Sequence, residues 1–248
     1  MRSGSAVLAS IMFAALAATP ASAVCSNATL NGAYGYFHGR PDGIGGMRAV
    51  VGQAIADGQG NLHGSFTMSL NGTVSTGTFT GTYSISKNCT GSFTLQNEDF
   101  STADYNIVLD DSHKGFQMLQ TDSGTAQPGF GLAQGTVTCG LTGKKLTLAT
   151  NLLGTLTASS DVDAIVGQVE LDGKGNISGT EAFSVAGAIS TASVTGTYTE
   201  NADCTGTAQI TPAGSATTNF NTVVVNEGKE LLLIETDGNT VVAGTAQE

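Results

Sequence analysis

The sequence predicts an all-β protein made of two tandem antiparallel up-and-down β-barrels, each with about eight strands. Three observations lead to this fold class. Apolar residues alternate with Thr and Ser along short segments, glycines separate these segments, and the whole pattern occurs twice in the chain. Gly appears 34 times in 248 residues, whereas charged residues make up only 12%. A chain this poor in charge, with 40% hydrophobic residues, is not a disordered chain.

The two copies are related by a nearly constant shift along the chain. Residues 51–65 recur as residues 166–180 with eight of fifteen positions identical, which corresponds to a shift of 115 residues. The same shift carries Gly81-Thr82-Tyr83 onto residues 196–198. A duplication of this kind predicts one repeated structural unit. We therefore expect repeat 1 at 24–135 and repeat 2 at 136–248.

The strands of the first copy follow from its period of two. In residues 78–86, Phe79, Tyr83 and Ile85 lie on one face, and Thr and Ser occupy the other, which is typical of a half-buried antiparallel strand. Strands joined by hairpins close most simply into a barrel, because closure removes exposed edges. A β-sandwich is the alternative. The predicted strands are 33–39, 48–56, 62–70, 76–86, 90–96, 103–110, 115–121 and 129–135.

Four cysteines permit three disulfide pairings. Each copy has one Cys at its start and one in its middle, which favours Cys25–Cys89 and Cys139–Cys204. A lipid anchor on Cys25 is the competing hypothesis. The branched Val24 precedes that cysteine where lipoprotein processing needs a small residue, so the disulfide is favoured.

Residues 1–23 have the pattern of a secretory signal peptide. An apolar run follows Arg2, and the small residues Ala21-Ser22-Ala23 form a cleavage site. The protein is therefore expected to be secreted, periplasmic or at the cell surface. Its net charge of −11 disfavours nucleic acids and anionic lipid as partners, and no later segment predicts a transmembrane helix.

Short motifs carry a resemblance to a known class of proteins. Asp57-Gly58-Gln59-Gly60-Asn61 precedes a strand, and Gly81-Thr82-Tyr83 and Cys89-Thr90-Gly91 follow it. This arrangement resembles secreted bacterial β-repeat proteins, and its layout is similar to the small barrels of the calycin and allene-oxide-cyclase class. The resemblance implies a barrel fold and supplies no catalytic residue.

The most distinctive candidate ligand site lies in the first copy. Tyr34, Tyr36 and His38 share one strand face, Arg40 follows them, and Arg48 begins the next strand. Aromatic rings with polar tips beside a cation are typical of the mouth of a ligand pocket. An ordinary rim of Tyr with an exposed His is the favoured alternative.

Two other features of the sequence are candidate sites. The Asp-Gly-x-Gly-Asn segments at 57–61 and 172–176 offer too few carboxylates for calcium and are predicted to be hairpin turns. Glu181 either turns into the second barrel or lies at its open end in contact with water, and the second alternative is favoured. No metal site, cofactor or catalytic residue is assigned.

The segment 231–234 is apolar on both faces, unlike a half-buried barrel strand. Its outward pair, Leu232 and Ile234, is therefore expected to pack against copy one or against a second molecule. The sequence favours an exported, non-enzymatic protein that binds a small hydrophobic or polar-aromatic ligand or has a surface or matrix role. A cyclase-type or isomerase-type barrel with repeat 1 active is the alternative function.

Overall fold

A computed structural model describes residues 24–40, 47–99, 101–110, 112–125, 127–135 and 139–248, apart from the side chain of Arg40. These residues form sixteen antiparallel strands and two 3₁₀ turns. The predicted signal peptide at 1–23 lies outside the described residues. Within the described residues no helix is both long enough and apolar enough to cross a membrane.

The first eight strands close into a barrel in which every strand pairs with its neighbour in sequence. Strand β1 also pairs with β8, which closes the barrel. All eight predicted strands are confirmed, with ends within three residues of the prediction. Strands β1 to β8 span Asn31–Arg40, Arg48–Asp57, Asn61–Leu70, Thr73–Ile85, Thr90–Asn97, Thr102–Leu109, Gly115–Gln120 and Pro128–Ala133.

The second barrel repeats this order. Strand β9 pairs with both β10 and β16, so the barrel is closed and the sandwich alternative is wrong. The register is repeated as well, because Gly52 pairs with Phe66 where Gly167 pairs with Glu181. Strands β9 to β16 span Leu146–Leu156, Asp161–Leu171, Asn176–Val185, Ala188–Glu200, Thr205–Pro212, Thr218–Val225, Glu230–Glu235 and Thr240–Gln247.

One disulfide lies at the end of each barrel where the copy begins. Cys25 is bonded to Cys89 and Cys139 to Cys204, with Cα atoms 5.0 Å apart in each case. Both predicted pairings are thus confirmed. Because the sulfur of Cys25 is held in a disulfide, it is not available for the lipid of the competing hypothesis.

The two barrels pack against each other through a separate apolar cluster. Leu232 and Ile234 are 0% exposed and lie in this cluster together with Ala49 and Val51 of β2. Of the two expected partners, copy one is therefore the one observed. The pair presents no surface to a second molecule, so self-association through these two side chains is not supported.

The contact between the barrels depends on a glycine and a glutamine of the first copy. A Cβ atom at Gly35 would overlap Cγ1 of Val225, so β1 approaches the second barrel at this point only without a side chain. Nearby, the Gln53 amide donates to Oε1 of Gln134 at 2.8 Å and to the carbonyl of Asp203. The Gln134 amide in turn donates to the carbonyl of Val224 at 3.1 Å.

Candidate functional site

A cavity of about 550 Å³ opens at the end of the first barrel opposite the disulfide. Its volume lies within the usual range of small-molecule sites. Towards the disulfide, the aromatic side chains Tyr83, Phe93 and Phe116 are buried in the barrel core. The half of the barrel near the disulfide is therefore packed with side chains, and the opposite half contains the cavity.

Aromatic rings form the floor of the cavity. Tyr36 stacks on His38 with ring centroids 6.1 Å apart, and its ring meets Phe79 edge-on, also at 6.1 Å. Tyr105 approaches His38 edge-on at 5.5 Å from the other side of the barrel. The Tyr36 ring lies over Gly52, where a Cβ would be 2.7 Å from its Cζ atom. Because Gly52 has no side chain, the Tyr36 ring can pack directly on the backbone at this position.

His38 is an uncharged group of this floor. It is 2% exposed, and its Nε2 lies 3.4 Å from the hydroxyl oxygen of Tyr105. Burial, with a further contribution from the charge of Arg48, lowers the pKa of His38 to about 3. The imidazole is therefore neutral at neutral pH. A side-chain hydrogen bond with Gln127 opposes the lowering of the His38 pKa, but burial outweighs it.

Arg48 supplies a positive charge at the cavity wall. Arg48 is the first residue of β2 and lines the cavity. Its side chain lies on the same strand face as that of Val50, which is buried in the core. Its Nε is buried without a hydrogen-bond partner in the part of the chain that the structure describes. Burial raises the pKa of Tyr105 to about 12, although the nearby charge of Arg48 opposes that rise. Tyr105 therefore stays protonated and can donate its hydroxyl proton.

The rim carries two carboxylates in the turn between β5 and β6. Glu98 accepts a hydrogen bond from the hydroxyl of Thr78. Asp99 accepts one from the hydroxyl of Ser101 at 2.6 Å and another from its backbone N–H at 3.0 Å, and these bonds lower the pKa of Asp99. In the strand order, this turn lies across the barrel from β2. The rim acids and Arg48 therefore occupy opposite walls.

The structure brings together some of the predicted ligand residues and not others. Tyr36, His38 and Arg48 line the cavity. Tyr34 lies deeper in the barrel, with its ring centroid 5.7 Å from that of Phe116. The alternative of an exposed His in an ordinary rim is wrong for His38, which is buried. The side chain of Arg40 lies outside the described residues.

Sequence reasoning missed Tyr105 and Phe79 as cavity residues. Both lie in predicted strands, and in the structure both are buried in the first barrel. Their contact with His38 and Tyr36 arises across the barrel, from strands that are distant in sequence. A prediction of which residues face inward on all eight strands would have included them.

The equivalent region of the second barrel is acidic. Glu181 is 2% exposed and accepts a hydrogen bond from Thr150 Oγ1 at 3.1 Å, so the favoured expectation that it contacts water is wrong. Glu181 and Thr150 pair with Gly167 from its two neighbouring strands. Because Gly167 has no side chain, the Glu181 carboxylate can reach across this position to Thr150. Burial raises the pKa of Glu181, and burial raises that of Glu235 to about 7.

The two Asp-Gly-x-Gly-Asn segments are turns held by their own aspartates. Oδ1 of Asp57 accepts backbone N–H groups from Gln59, Gly60 and Asn61 at 2.7–3.0 Å. Hydrogen bonds from Asn61 and Gln59 lower the pKa of Asp57 to about 2. Asp172 accepts equivalent bonds in the second copy. The carboxylates therefore accept hydrogen bonds from their own turns, which agrees with the turn prediction.

One cluster of metal-ligand side chains occurs among the described residues. Cys25, Cys89 and His113 bring ligand atoms within 4.8 Å of one another. The two cysteines are bonded to each other, and a disulfide does not provide the thiolates that a metal ion requires. This cluster is therefore a disulfide with a neighbouring histidine. Comparison with known proteins adds no identity, because no family model and no curated protein matches this chain.

Proposed function

We propose that the protein is an exported, non-enzymatic binding protein whose first barrel holds one small, largely apolar or aromatic ligand. The observation that carries this proposal is the cavity of about 550 Å³ above an aromatic floor. The concavity reaches into the barrel, and its inner surface is formed largely by aromatic and aliphatic side chains, as in many small-molecule sites. The two disulfides are of the kind found in oxidising compartments, which supports export.

A polar atom of the cavity wall also supports binding. Buried polar groups are nearly always hydrogen-bonded, and each unsatisfied group costs about 1–3 kcal/mol. Here Nε of Arg48 is buried without a partner among the described residues. This atom at the cavity wall indicates a polar ligand group or ordered water that completes its hydrogen bond.

The alternative of a cyclase-type or isomerase-type reaction is less well supported by the chemistry of this cavity. General acid–base catalysis is most effective when the pKa of the catalytic group lies near the working pH. The pKa of His38 is about 3 and that of Tyr105 about 12, so both remain uncharged near neutral pH. Two uncharged hydrogen-bonding groups suit recognition of a ligand better than proton transfer.

A titration with N-phenyl-1-naphthylamine, a neutral aromatic dye whose emission rises in apolar surroundings, tests the proposed function. We expect the full chain to bind one dye molecule. Ala103, on the inner face of β6, lines the cavity, so Ala103→Phe should narrow it and weaken dye binding. Thr102→Phe adds the same ring on the exposed outer face and should leave binding unchanged. Absence of binding, or equal binding by Ala103→Phe, would overturn the proposal.

A further inference from the structure

We propose that the ligand of the first barrel is an anion, an apolar or aromatic acid whose carboxylate contacts Arg48. This inference rests on the proposed binding function and specifies the chemical class of the ligand. Four observations carry it: the charge of Arg48, which has no counter-ion among the described residues, the position of the rim acids, the apolar floor, and the residue that the second barrel has in place of Arg48.

The positive charge of Arg48 has no counter-ion among the described residues. No carboxylate of that part of the chain lies within 4.0 Å of the guanidinium, and its side chain makes no hydrogen bond there. A partly buried charge is costly unless it is paired. An arginine also presents a planar fork of N–H groups that matches a carboxylate in two parallel hydrogen bonds. An anionic group in the cavity would satisfy this fork.

The rim acids do not take this role. Glu98 and Asp99 lie on the opposite wall and are engaged by Thr78 and Ser101. Both are exposed, so water screens their charge. Among the described residues, Arg48 therefore has no paired charge at this partly buried wall, and the expected ligand group is negative.

The remainder of the cavity selects an apolar body for this acid. Tyr36, Phe79 and Tyr105 form the floor, and Met68 and Leu95 line the walls. Aromatic rings favour edge-to-face and offset contacts with other rings, and thioethers pack well against them. At roughly 30 Å³ for each water-sized group, a cavity of about 550 Å³ accepts a ligand on the order of fifteen non-hydrogen atoms.

The second barrel indicates that Arg48 is not required for barrel closure. Asp163 stands at the equivalent position, and β9 to β16 close in the same way around it. The position of the Arg48 charge at the cavity wall is therefore not explained by barrel closure, and an anionic group in the cavity would explain it.

Displacement of the dye by two probes of nearly equal shape tests the inference. Biphenyl-4-carboxylate and biphenyl-4-carboxamide differ in charge but have the same number of non-hydrogen atoms. At neutral pH we expect the carboxylate to displace N-phenyl-1-naphthylamine at an at least tenfold lower concentration than the amide. A charged hydrogen-bonded pair is worth about that factor or more.

Variants then assign the preference to Arg48. The ratio of carboxylate to amide affinity is compared within each variant, so that a change in overall affinity cancels. Arg48→Met should reduce this ratio to near one, Arg48→Lys should keep part of it, and Asp163→Asn should leave it unchanged. An amide that binds as well as the carboxylate, or a ratio that survives Arg48→Met, would overturn the anion inference while the binding function stands. Failure of the dye itself to bind would overturn both.

Discussion

Arg48 and Asp163 occupy the same position in the two barrels and carry opposite charges. Arg48 pairs with Leu70 of β3, and Asp163 pairs with Val185 of β11, each partner being displaced by the same 115 residues. The duplication has therefore kept its strands and registers while the inward-facing side chains at one end diverged. At this end the first barrel has an arginine beside aromatic rings, and the second has buried carboxylates.

The acidic end makes the stability of the second barrel depend on pH. Glu235 is 7% exposed, and burial raises its pKa from 4.5 to about 7. The folded protein thus holds this proton more tightly than the unfolded chain. Its contribution to stability is fully present below about pH 4.5 and is lost as pH rises through about 7. The loss is on the order of 1–3 kcal/mol, because water at the rim screens part of the effect.

Glu235→Gln should remove this dependence, and Gln is the residue that copy one has at the matching position, Gln120. Chemical denaturation between pH 4 and pH 8 would show a flatter stability profile for the variant and greater stability than the wild type at pH 8. Glu248→Gln, at the exposed end of the chain, serves as the control. If both variants retain the wild-type profile, Glu235 does not have the raised pKa.

The contact between the barrels should depend on Leu232 and Ile234. Replacing both with Thr removes buried apolar surface and is expected to destabilise the contact by about 3–5 kcal/mol, without loss of the second barrel. Solution scattering should then show a longer distance between the barrels. The matched control is Leu153→Thr with Val162→Thr, since both side chains are more than half exposed. Unchanged scattering of the first double variant would contradict the observed packing.

The two disulfides should contribute equally to stability. They close segments of 64 and 65 residues, and the chain-entropy model gives about 4 kcal/mol for loops of this size. Cys25→Ala with Cys89→Ala, and Cys139→Ala with Cys204→Ala, should therefore lower the free energy of unfolding by similar amounts in urea titrations. A loss below about 1 kcal/mol in either variant would contradict the model.

The two repeats should also fold when separated. Fragments 24–135 and 136–248 each contain a complete closed barrel and its disulfide. Each fragment should show β-type circular dichroism and cooperative melting. Because separation exposes the apolar cluster around Leu232 and Ile234, the mixed fragments should associate in analytical ultracentrifugation. If neither fragment folds alone, the copies depend on each other and the predicted domain division is wrong.

The strands and the disulfides could be predicted because their signals are local or repeated. Thr and Ser alternate with Phe79, Tyr83 and Ile85 along β4, and the position of each cysteine recurs in the second copy. The burial of Leu232 and Ile234 was likewise predictable, since a barrel strand that is apolar on both faces must be covered outside.

The cavity could not be predicted in the same way. Its existence depends on contacts across the barrel, such as that between His38 and Tyr105, which follow from closure and not from any one strand. The burial of Glu181 was missed for a related reason. Its partner Thr150 stands two strands away, and only the register across Gly167 shows that they meet.

A crystal structure of the full chain soaked with 4-iodobenzoate would locate the ligand, because iodine gives an anomalous signal. We expect one iodine site within the first barrel, above Tyr36 and Tyr105, with the carboxylate within about 3 Å of the Arg48 guanidinium. Iodine found only on the protein surface or in the second barrel would contradict this expectation, as would a ligand in the first barrel whose carboxylate points away from Arg48.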